Sequence, residues 1–352
     1  MNGYMNILHR LSSMMSVVGH ETTDQEALVS LAAPYFDEWT SDAVGNHIFV
    51  RKCGVEDAPK LLLDAHFDAV GLVVAGITDE GNLRVTRLGG VDGKILPACE
   101  VTVHGKKKPV YGVVASTPPH LMTAEGRTKV PPIDEMLVDT GFSKKTLEEE
   151  YGVRIGTPIS FAYGPEELLN ERTCGPAYDD KACVAAAIRA MELLGDEKGL
   201  FDVYLAVSAE EETGMSGAAK AAFAVKPDIA LILDVGFATS PDTPSGHGAA
   251  ALGSGIIISY SAVTNVKLTR KIMKLCDDGE IKYTVSVEPS GTGTNADNVT
   301  LVERGIPTTV LGIPIRSMHT YSEVLDTADG EEMAKLIALI IKDKGLKEYC
   351  HD

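Results

Sequence analysis

The sequence predicts an α/β fold in which helices cover both faces of a sheet, with a smaller all-β module inserted into it. Strand patterns alternate with helical patterns beyond about residue 165, which is typical of sheets covered by helices on both faces. Between about residues 73 and 164, short strands are separated by glycine turns and helical patterns are nearly absent. The chain has 352 residues, which favours two domains because single cores stop growing at roughly 250 to 300 residues.

The first 72 residues contain two predicted helices followed by strands. Apolar positions at helical spacing predict a helix over residues 4–18. Thr23 and Glu26 have the spacing of a capping box, which predicts a second helix that runs to about Glu38. NHIFVRK is predicted as a strand, and KLLLDAHFDAVGLVV as a buried strand that ends in polar residues.

The inserted module is predicted from three strand-rich stretches, ITDEGNLRVTRLGG, CEVTVHGKKKPVYGVVAS and GTPISFAYG. Apart from these, SKKTLEEEYG has a helical pattern. The stretches LGGVDGKILP and TPPHLMTAEGRTKVPP are long loops rich in glycine and proline. Such loops suit contacts with other molecules, or ordering on assembly, better than they suit a compact core.

Beyond the module, helices and strands alternate along the chain. The predicted helices cover residues 181–194, 216–225, 265–279 and 329–344. The predicted strands cover residues 201–209, 228–236, 282–289 and 307–314. In sheets of this kind, ligands bind beyond the carboxyl ends of the strands.

Charge and composition exclude several classes of partner. The net charge of −18 argues against binding to nucleic acid or to an anionic membrane surface. No run of 18 apolar residues predicts a membrane-spanning helix, and the first residues have no secretory pattern. The six cysteines are scattered without a CxxC pair, which disfavours a structural zinc site and suggests a reducing cytoplasm.

Side chains of the kind that bind metal ions follow the predicted strands. They are His66 and Asp68, Glu210–Glu212, Asp234 and His319, together with Asp179 and Asp180 at the start of a helix. Each alone has an ordinary structural interpretation, and three adjacent glutamates repel one another unless water or a cation screens them. Their shared topological position favours a metal site, because histidine nitrogen and carboxylate oxygen bind zinc and similar ions.

The segments HFD, AYDDK, EEETG, DVG and MHT together resemble the M42 family of metallo-aminopeptidases, which is related to the co-catalytic zinc exopeptidases. The resemblance spans nearly the whole chain and includes GTGTNADN before the last strand. It implies a three-layer mixed sheet flanked by helices. It also implies a catalytic domain of residues 1–72 and 165–352, with a small barrel-like domain at 73–164 that serves oligomerisation.

The resemblance implies two divalent metal ions per subunit, zinc or cobalt, with manganese also accepted. His66 and Asp234 are expected to hold one ion, and Glu212 and His319 the other. Asp179 is expected to bridge the two ions. In this group the peptide bond between the paired aspartates is often cis.

The resemblance also implies roles for residues that bind no metal. Asp68 is expected to accept a hydrogen bond from the far nitrogen of His66 and so fix its tautomer. Glu211 is expected to be the general base, and Glu210 to face solvent or the opposite side of the strand. Chemistry alone leaves open a shifted register, with Glu210 as the base and Glu211 as the ligand. The spacing to the next two glycines favours the first arrangement.

Two details are specific to this sequence. Family members commonly have arginine or asparagine where this chain has Lys181, so a contact that needs the planar fork of arginine is in doubt. The glycine-rich segment before the last strand permits close backbone approach. It therefore suggests substrate contacts from Thr294 and Asn295, although a plain strand-to-helix turn explains it equally well.

The implied reaction is hydrolysis of the N-terminal residue from short peptides, in a cytoplasmic homo-oligomer that is most simply a dodecamer built from dimers. One alternative is a glycosidase with two carboxylates, Glu211 and Asp179. The histidines and the aromatic content of 6% disfavour it. The other alternative is a metal-binding assembly protein without activity, which gives Glu211 no purpose.

Overall fold

The computed structural model describes residues 3–241 and 250–350. Its strands are β1 (Glu38–Ser41), β2 (His47–Arg51), β3 (Lys60–His66), β4 (Gly71–Ile77), β5 (Leu83–Leu88), β6 (Glu100–Val103), β7 (Val110–Val114), β8 (Leu137–Asp139), β9 (Pro158–Phe161), β10 (Glu166–Glu167), β11 (Arg172–Gly175), β12 (Asp202–Ser208), β13 (Ile229–Phe237), β14 (Ile256–Ser261), β15 (Tyr283–Glu288), β16 (Thr308–Arg316) and β17 (Glu323–Asp326).

The helices of the same residues are α1 (Gly3–Ser12), α2 (Gln25–Ala32), α3 (Lys144–Thr146), α4 (Tyr178–Leu194), α5 (Glu211–Gly214), α6 (Ser216–Val225), α7 (Val266–Asp278), α8 (Ala296–Val299) and α9 (Thr327–Lys342). Helices α3, α5 and α8 are single turns, and a π-helical turn continues α3. Among the described helices, none has the length and apolar character needed to cross a membrane.

The large sheet is mixed. Its main path runs β1-β2-β12-β3-β13-β16-β17-β11-β10, while β14 pairs with β16 and carries β15 at its side. Strands β12, β3, β13 and β16 are parallel neighbours. Since parallel strands end at the same edge, the centre of the sheet presents one row of carboxyl ends.

Helices cover both faces of this sheet. On one face, α1, α4, α7 and α9 pack together and share an apolar core with the central strands. On the other face, α6 and α8 enclose a smaller apolar cluster. The predicted three-layer α/β arrangement is therefore confirmed.

Strands β4, β5, β8, β7, β6 and β9 form a closed barrel with its own apolar core. Valine, isoleucine and leucine alternate with exposed residues along these short strands, as β5 shows between Leu83 and Leu88. Closure leaves the barrel without a free sheet edge. The predicted inserted, barrel-like β structure is present.

The structure differs from the predicted elements near the amino terminus. Helix α1 ends at Ser12 rather than at residue 18, and the following residues cross the face of the molecule as a loop. Helix α2 ends at Ala32, and Glu38 begins strand β1 instead of ending a helix. The capping box is absent, because Asp24 precedes α2 and its carboxylate accepts a hydrogen bond from the Met15 amide at 2.6 Å.

The apolar stretch at residues 60–74 forms two strands instead of one. Strand β3 ends at His66 in the large sheet, and β4 begins at Gly71 in the barrel. Asp68 lies between them, where its buried carboxylate bonds to main-chain amides of another segment. The polar residues that were expected at the end of one strand therefore mark the passage from sheet to barrel.

Candidate active site

The predicted ligands meet at the carboxyl edge of the large sheet. His66 is the last residue of β3 and is paired in register with Ser208 at the end of β12. The glutamate cluster follows β12 directly, and Asp234 lies in the neighbouring strand β13. His319 lies in the turn between β16 and β17. Parallel strand order thus brings together residues that are far apart in the chain.

Asp179 lies between the two histidines. Its Oδ1 atom is 3.0 Å from Nε2 of His66, and its Oδ2 atom is 3.2 Å from Nε2 of His319. Oε1 of Glu212 is 3.3 Å from the same nitrogen of His319. Each oxygen of one buried carboxylate therefore faces a different histidine, which is the geometry that a bridging ligand needs.

The cluster contains two groups of donors that can hold a cation. Asp179, Glu212 and His319 form one group, and His66, Asp234 and Asp180 form the other. Within each group, the donor atoms lie within 4.8 Å of one another. Oδ1 of Asp234 is 4.0 Å from Nε2 of His66. Asp180 was not predicted as a ligand, because it was interpreted as part of a helix start.

Unpaired oxygen atoms support binding of a cation. Both carboxylate oxygens of Asp180 are buried and have no hydrogen-bond partner among the described residues. Oε1 of Glu212 is also buried and makes no hydrogen bond beyond its ion pair with His319 at 3.3 Å. Buried carboxylates without partners are costly unless protons or cations neutralise them. The peptide bond between Asp179 and Asp180 is cis, as the resemblance implied. The donor set of imidazole nitrogen and carboxylate oxygen fits zinc, cobalt or manganese.

The charges of the cluster shift its protonation strongly. Burial opposes a charge on His66, but Asp179 and Glu211 outweigh this effect and raise the pKa of His66 well above its ordinary value. Contacts with Asp179 and then Glu212 raise the pKa of His319 to about 11. Burial raises the pKa of Asp234 above its usual range. A divalent cation bound among these groups would neutralise the same carboxylates.

Glu211 lies beside the cluster and is 9% exposed. Its Oε2 atom is 4.0 Å from Nε2 of His66. Burial, together with the charges of Glu212 and Asp179, raises the pKa of Glu211 to about 7, although His66 opposes this shift. A carboxylate with this pKa can both accept and return a proton near neutral pH.

The carboxylate of Asp68 bonds to the main chain of the glutamates, and it is the main-chain carbonyl of Asp68 that bonds to His66. Nδ1 of His66 donates a hydrogen bond to the main-chain carbonyl of Asp68 at 2.9 Å, whereas the carboxylate Oδ1 is 3.7 Å away. The carboxylate accepts the amide hydrogens of Glu211 at 3.1 Å and Glu212 at 3.0 Å. The main chain therefore orients His66, and the Asp68 side chain fixes the turn that carries the glutamates.

The turn that carries the glutamates is held from both sides. Glu210 adopts a positive φ of 61°, and its carboxylate pairs with Lys220 at 2.9 Å and accepts a hydrogen bond from Ser216. The Asn46 side chain accepts the Ala209 amide at 2.9 Å and donates to the Gly217 carbonyl at 2.9 Å. Three adjacent glutamates thus divide between helix α6 and the active-site cluster.

A glycine is required where α6 begins behind this turn. A Cβ at Gly217 would lie 2.0 Å from the Ala209 carbonyl oxygen. Main chain cannot move aside as a long side chain can, so a larger residue would displace the glutamates.

Glu323 is a functional residue that the sequence did not reveal. One carboxylate oxygen accepts the Asp179 amide at 3.0 Å, and the other accepts the His319 amide at 2.7 Å. Glu323 is 2% exposed, and burial raises its pKa to about 8. It fixes the main chain of two ligands from different segments, and its place four residues after His319 was the only available signal.

The two residues that were predicted to contact substrate point elsewhere. Asn295 is 2% exposed, and its amide donates to Asp64 at 2.9 Å and to Ser208 at 3.1 Å. The Thr294 hydroxyl lies 2.9 Å from that of Thr292. Neither side chain lines the large cavity described below. The segment forms the turn that leads into α8, and a role for it in substrate binding stays a prediction.

A cavity of about 840 Å³ opens onto the cluster. Asp179, Glu212, His319 and Glu323 line one part of it, and residues of the barrel line another. Lys181 is also on its wall, 1% exposed, where its ammonium group donates to the Met14 carbonyl at 2.5 Å. This contact needs one donor and not the fork of arginine.

The barrel touches the cluster through the loop after β5. A Cβ on Gly90 would lie 2.9 Å from Nδ1 of His319, and one on Gly89 would lie 3.4 Å from Cβ of Glu212. Gly89 also has a positive φ of 73°, which favours glycine. The inserted barrel thus bears directly on two candidate ligands.

A mixed sheet between helices, with carboxylates and histidines at one edge, is the arrangement of a metal-binding hydrolase. Comparison with known proteins narrows this class. The family model described as M42 glutamyl aminopeptidase matches residues 45–336. The chain belongs to this family and is a hydrolase that acts on peptides.

Individual relatives agree over nearly the whole chain. The chain is 33% identical over 340 residues to the lysyl aminopeptidase of Pyrococcus furiosus, covering 96% of both proteins. A TET aminopeptidase from a marine sediment archaeon of the Thaumarchaeota superposes with a TM-score of 0.92 at 28% identity, with 98% of each chain covered.

A third relative is known for its assembly. The TET1 peptidase of Pyrococcus horikoshii, which can assemble into a tetrahedron or a large octahedral shell, has a TM-score of 0.83 at 29% identity. The match covers 97% of this chain and 99% of that one. Membership of this peptidase family favours a peptidase over the glycosidase and the non-enzymatic protein that were considered as alternatives.

Proposed function

We propose that the protein is a dinuclear metal-dependent aminopeptidase that removes N-terminal residues from short peptides. The observation that carries the proposal is the position of Asp179, whose two oxygens face His66 at 3.0 Å and His319 at 3.2 Å. A carboxylate in this position can bind two ions at once. Family membership supports the reaction, and the cluster supports the metals.

The proposed ligands divide into two sets that share Asp179. His66 and Asp234 hold one ion, and Glu212 and His319 hold the other. Zinc or cobalt suits these donors best, and manganese is also accepted. When bound, such ions acidify a water molecule and polarise the carbonyl of the scissile peptide bond.

Glu211 is the proposed general base. Its side chain is largely buried beside the ligands, and the hydrogen bond from its amide to Asp68 fixes its main chain. It takes a proton from the attacking water and later returns it to the amine that leaves. General acid–base catalysis of this kind contributes about 10² to 10⁴ in rate.

We expect the substrate to need a free amino terminus. Asp179, Glu212 and Glu323 all line the part of the cavity next to the ligands. An ammonium or metal-bound amine is attracted there, whereas an acetylated terminus has no charge and adds bulk. The preferred N-terminal side chain is a separate question, since relatives are named for lysyl and glutamyl substrates.

We also propose that the protein forms a cytoplasmic homo-oligomer, most simply a dodecamer. The barrel exposes apolar side chains that a monomer has no reason to present, including Leu121 at 78% and Ile155 at 75% exposure. The assembly of the Pyrococcus horikoshii relative supports a shell. Active sites that face inward would admit short peptides and exclude folded proteins.

The decisive experiment compares Leu-Gly-Gly with N-acetyl-Leu-Gly-Gly. The protein is stripped with a chelator and then reconstituted with zinc, cobalt or manganese, and metal content is measured alongside turnover. We expect hydrolysis of the free peptide only, and only after metal is restored. Equal hydrolysis of the acetylated peptide, or full activity without metal, would refute the proposal. Release of sugar from an oligosaccharide would instead support a glycosidase.

A further inference from the structure

The active-site cavity has a basic patch formed by Lys106, Lys107 and Lys108. They lie in the turn between β6 and β7 of the barrel, and all three are exposed. They line the same cavity as Asp179 and Glu212. In a chain with a net charge of −18, three consecutive lysines that line the same cavity as the candidate ligands need an explanation.

The neighbouring segment holds two of these lysines in place. Nζ of Lys107 donates a hydrogen bond to the Glu149 carbonyl at 2.5 Å. Nζ of Lys108 lies 4.3 Å from the centre of the Tyr151 ring. Neither contact neutralises the ammonium charge, because the carbonyl and the ring are both uncharged. The turn therefore keeps its positive charge.

Lys106 is the lysine of the patch whose charge is most available. Over the described ranges 3–241 and 250–350, no carboxylate lies within ion-pair distance of any of the three lysines, and the Lys106 ammonium also has no hydrogen-bond partner. Its amide bonds to the Gly152 carbonyl at 3.3 Å, so the main chain beneath it is fixed. His104, which lies nearby on the same wall, is held by Ser160 at 2.8 Å.

The cavity is thus lined by the candidate ligands Asp179, Glu212 and His319 in one part and by the lysine turn in another. A short peptide has the complementary charges, with an ammonium group at its first residue and a carboxylate at its last. The volume of about 840 Å³ lies within the range of sites that enclose small ligands. Phe161 and Tyr163 also line the cavity and offer aromatic surface against which a peptide can pack.

We infer that the Lys106–Lys108 turn binds the C-terminal carboxylate of short peptide substrates and makes the protein prefer peptides whose C-terminus is free. The inference rests on the proposed aminopeptidase function, because it assigns the opposite end of the same substrate. Lys106 is a specificity-determining residue here and takes no part in bond cleavage.

The test compares Leu-Gly-Gly with Leu-Gly-Gly-amide, which differ only in the charge at the C-terminus. The enzyme is metal-reconstituted wild type, Lys106→Met, Lys106→Glu and the control Lys145→Met. Lys145 is an exposed lysine of the barrel region that does not line the cavity. The measured quantity is the ratio of kcat/KM for the acid to that for the amide, at low and high salt, over peptides of three to six residues.

Wild type should favour the acid by about two- to fivefold for one exposed ion pair, with more if all three lysines contribute. Lys106→Met should lower kcat/KM for the acid and leave the amide unchanged, and Lys106→Glu should make the amide the better substrate. The preference should shrink in high salt, because exposed charges are screened. Lys145→Met should behave as wild type.

Each contrary outcome has a distinct meaning. If wild type cleaves acid and amide equally and Lys106→Met changes neither, the inference is overturned while the aminopeptidase function stands. If wild type cleaves neither peptide, the proposed function itself fails. If Lys106→Met slows both peptides equally and changes the mass measured by light scattering, the turn serves contacts between subunits, which also overturns the inference.

Discussion

Replacing Gly90 with alanine should weaken one proposed metal site, although Gly90 is not itself a ligand. A Cβ at this position would lie 2.9 Å from Nδ1 and 3.2 Å from Cε1 of the His319 ring. Comfortable contacts begin at about 3.5 Å, so either the ring or the loop has to move by about 0.5 Å. Metal–nitrogen bonds tolerate deviations of only about 0.2 Å. If the ring moves, His319 leaves its position beside Asp179 and Glu212.

The expected result is a loss of about 10- to 100-fold in affinity at one of two positions, as for other changes that misplace a ligand. The assay is elemental analysis after dialysis against limiting zinc, combined with titration against a chromogenic chelator. Gly90→Ala should retain one ion per subunit more readily than two, and turnover should fall in parallel.

Gly76→Ala is the matched control. It lies in the same barrel, its Cβ would meet only the Arg84 side chain at 3.6 Å, and its φ is not in the left-handed region. It should bind two ions with wild-type affinity. The reasoning is refuted if Gly90→Ala binds both ions as tightly as this control, since the barrel loop would then yield instead of the ring.

Four further predictions concern the cluster and the assembly. Glu211→Gln should keep both ions and lose about 10² or more in turnover, because the amide cannot accept a proton; near-normal turnover with unchanged metal content contradicts its role. Asp179→Ala should empty both positions and His66→Ala mainly one, and equal losses on elemental analysis would remove the case for a bridge. Metal affinity should fall as pH falls, because the pKa of His319 is raised to about 11 without metal and the ring must lose its proton to bind. Titration calorimetry in buffers of different ionisation enthalpy should show that metal binding releases protons. Metal affinity that does not change with pH would contradict this prediction. Light scattering should give the mass of at least two chains, and about twelve if the complete shell forms. A mass near one 37.5 kDa chain would exclude the oligomer.

The alternation of strands and helices was sufficient to predict the layers of the fold. It was insufficient near the amino terminus, where the predicted helices were too long. Residues 14–18 continue the apolar pattern of α1 but lie beyond its end, and Met14, Met15, Ser16 and Val17 line the cavity. Trp39 and Thr40 favour strand structure, and pairing with β2 settles their conformation in a way that local pattern could not reveal.

The candidate ligands His66, Glu212, Asp234 and His319 could be predicted because they lie at or near the ends of strands, which converge in a parallel sheet. Asp179 lies instead at the start of α4. Their supporting residues could not be predicted in this way. Glu323 acts through two main-chain amides, and Asn46 acts through the loop before the glutamates. Asp68 was expected to accept a hydrogen bond from His66, and its main-chain carbonyl does so. The bonds from its carboxylate to the Glu211 and Glu212 amides were not predicted. Such contacts depend on the final positions of distant segments, which no periodicity encodes.

The barrel begins and ends at adjoining points next to the large sheet. Its first strand pairs with its last, with Leu72 opposite Ile159 and Val73 opposite Pro158. The inserted segment therefore behaves as a cassette, since its length can change without altering the distance between β3 and β11. Gly90 limits how far the inserted segment can change, because any other segment in its place must leave the same space beside the His319 ring. Evolution can thus rebuild the outer surface of the cassette, and with it the choice of neighbours, while the catalytic edge of the sheet stays the same.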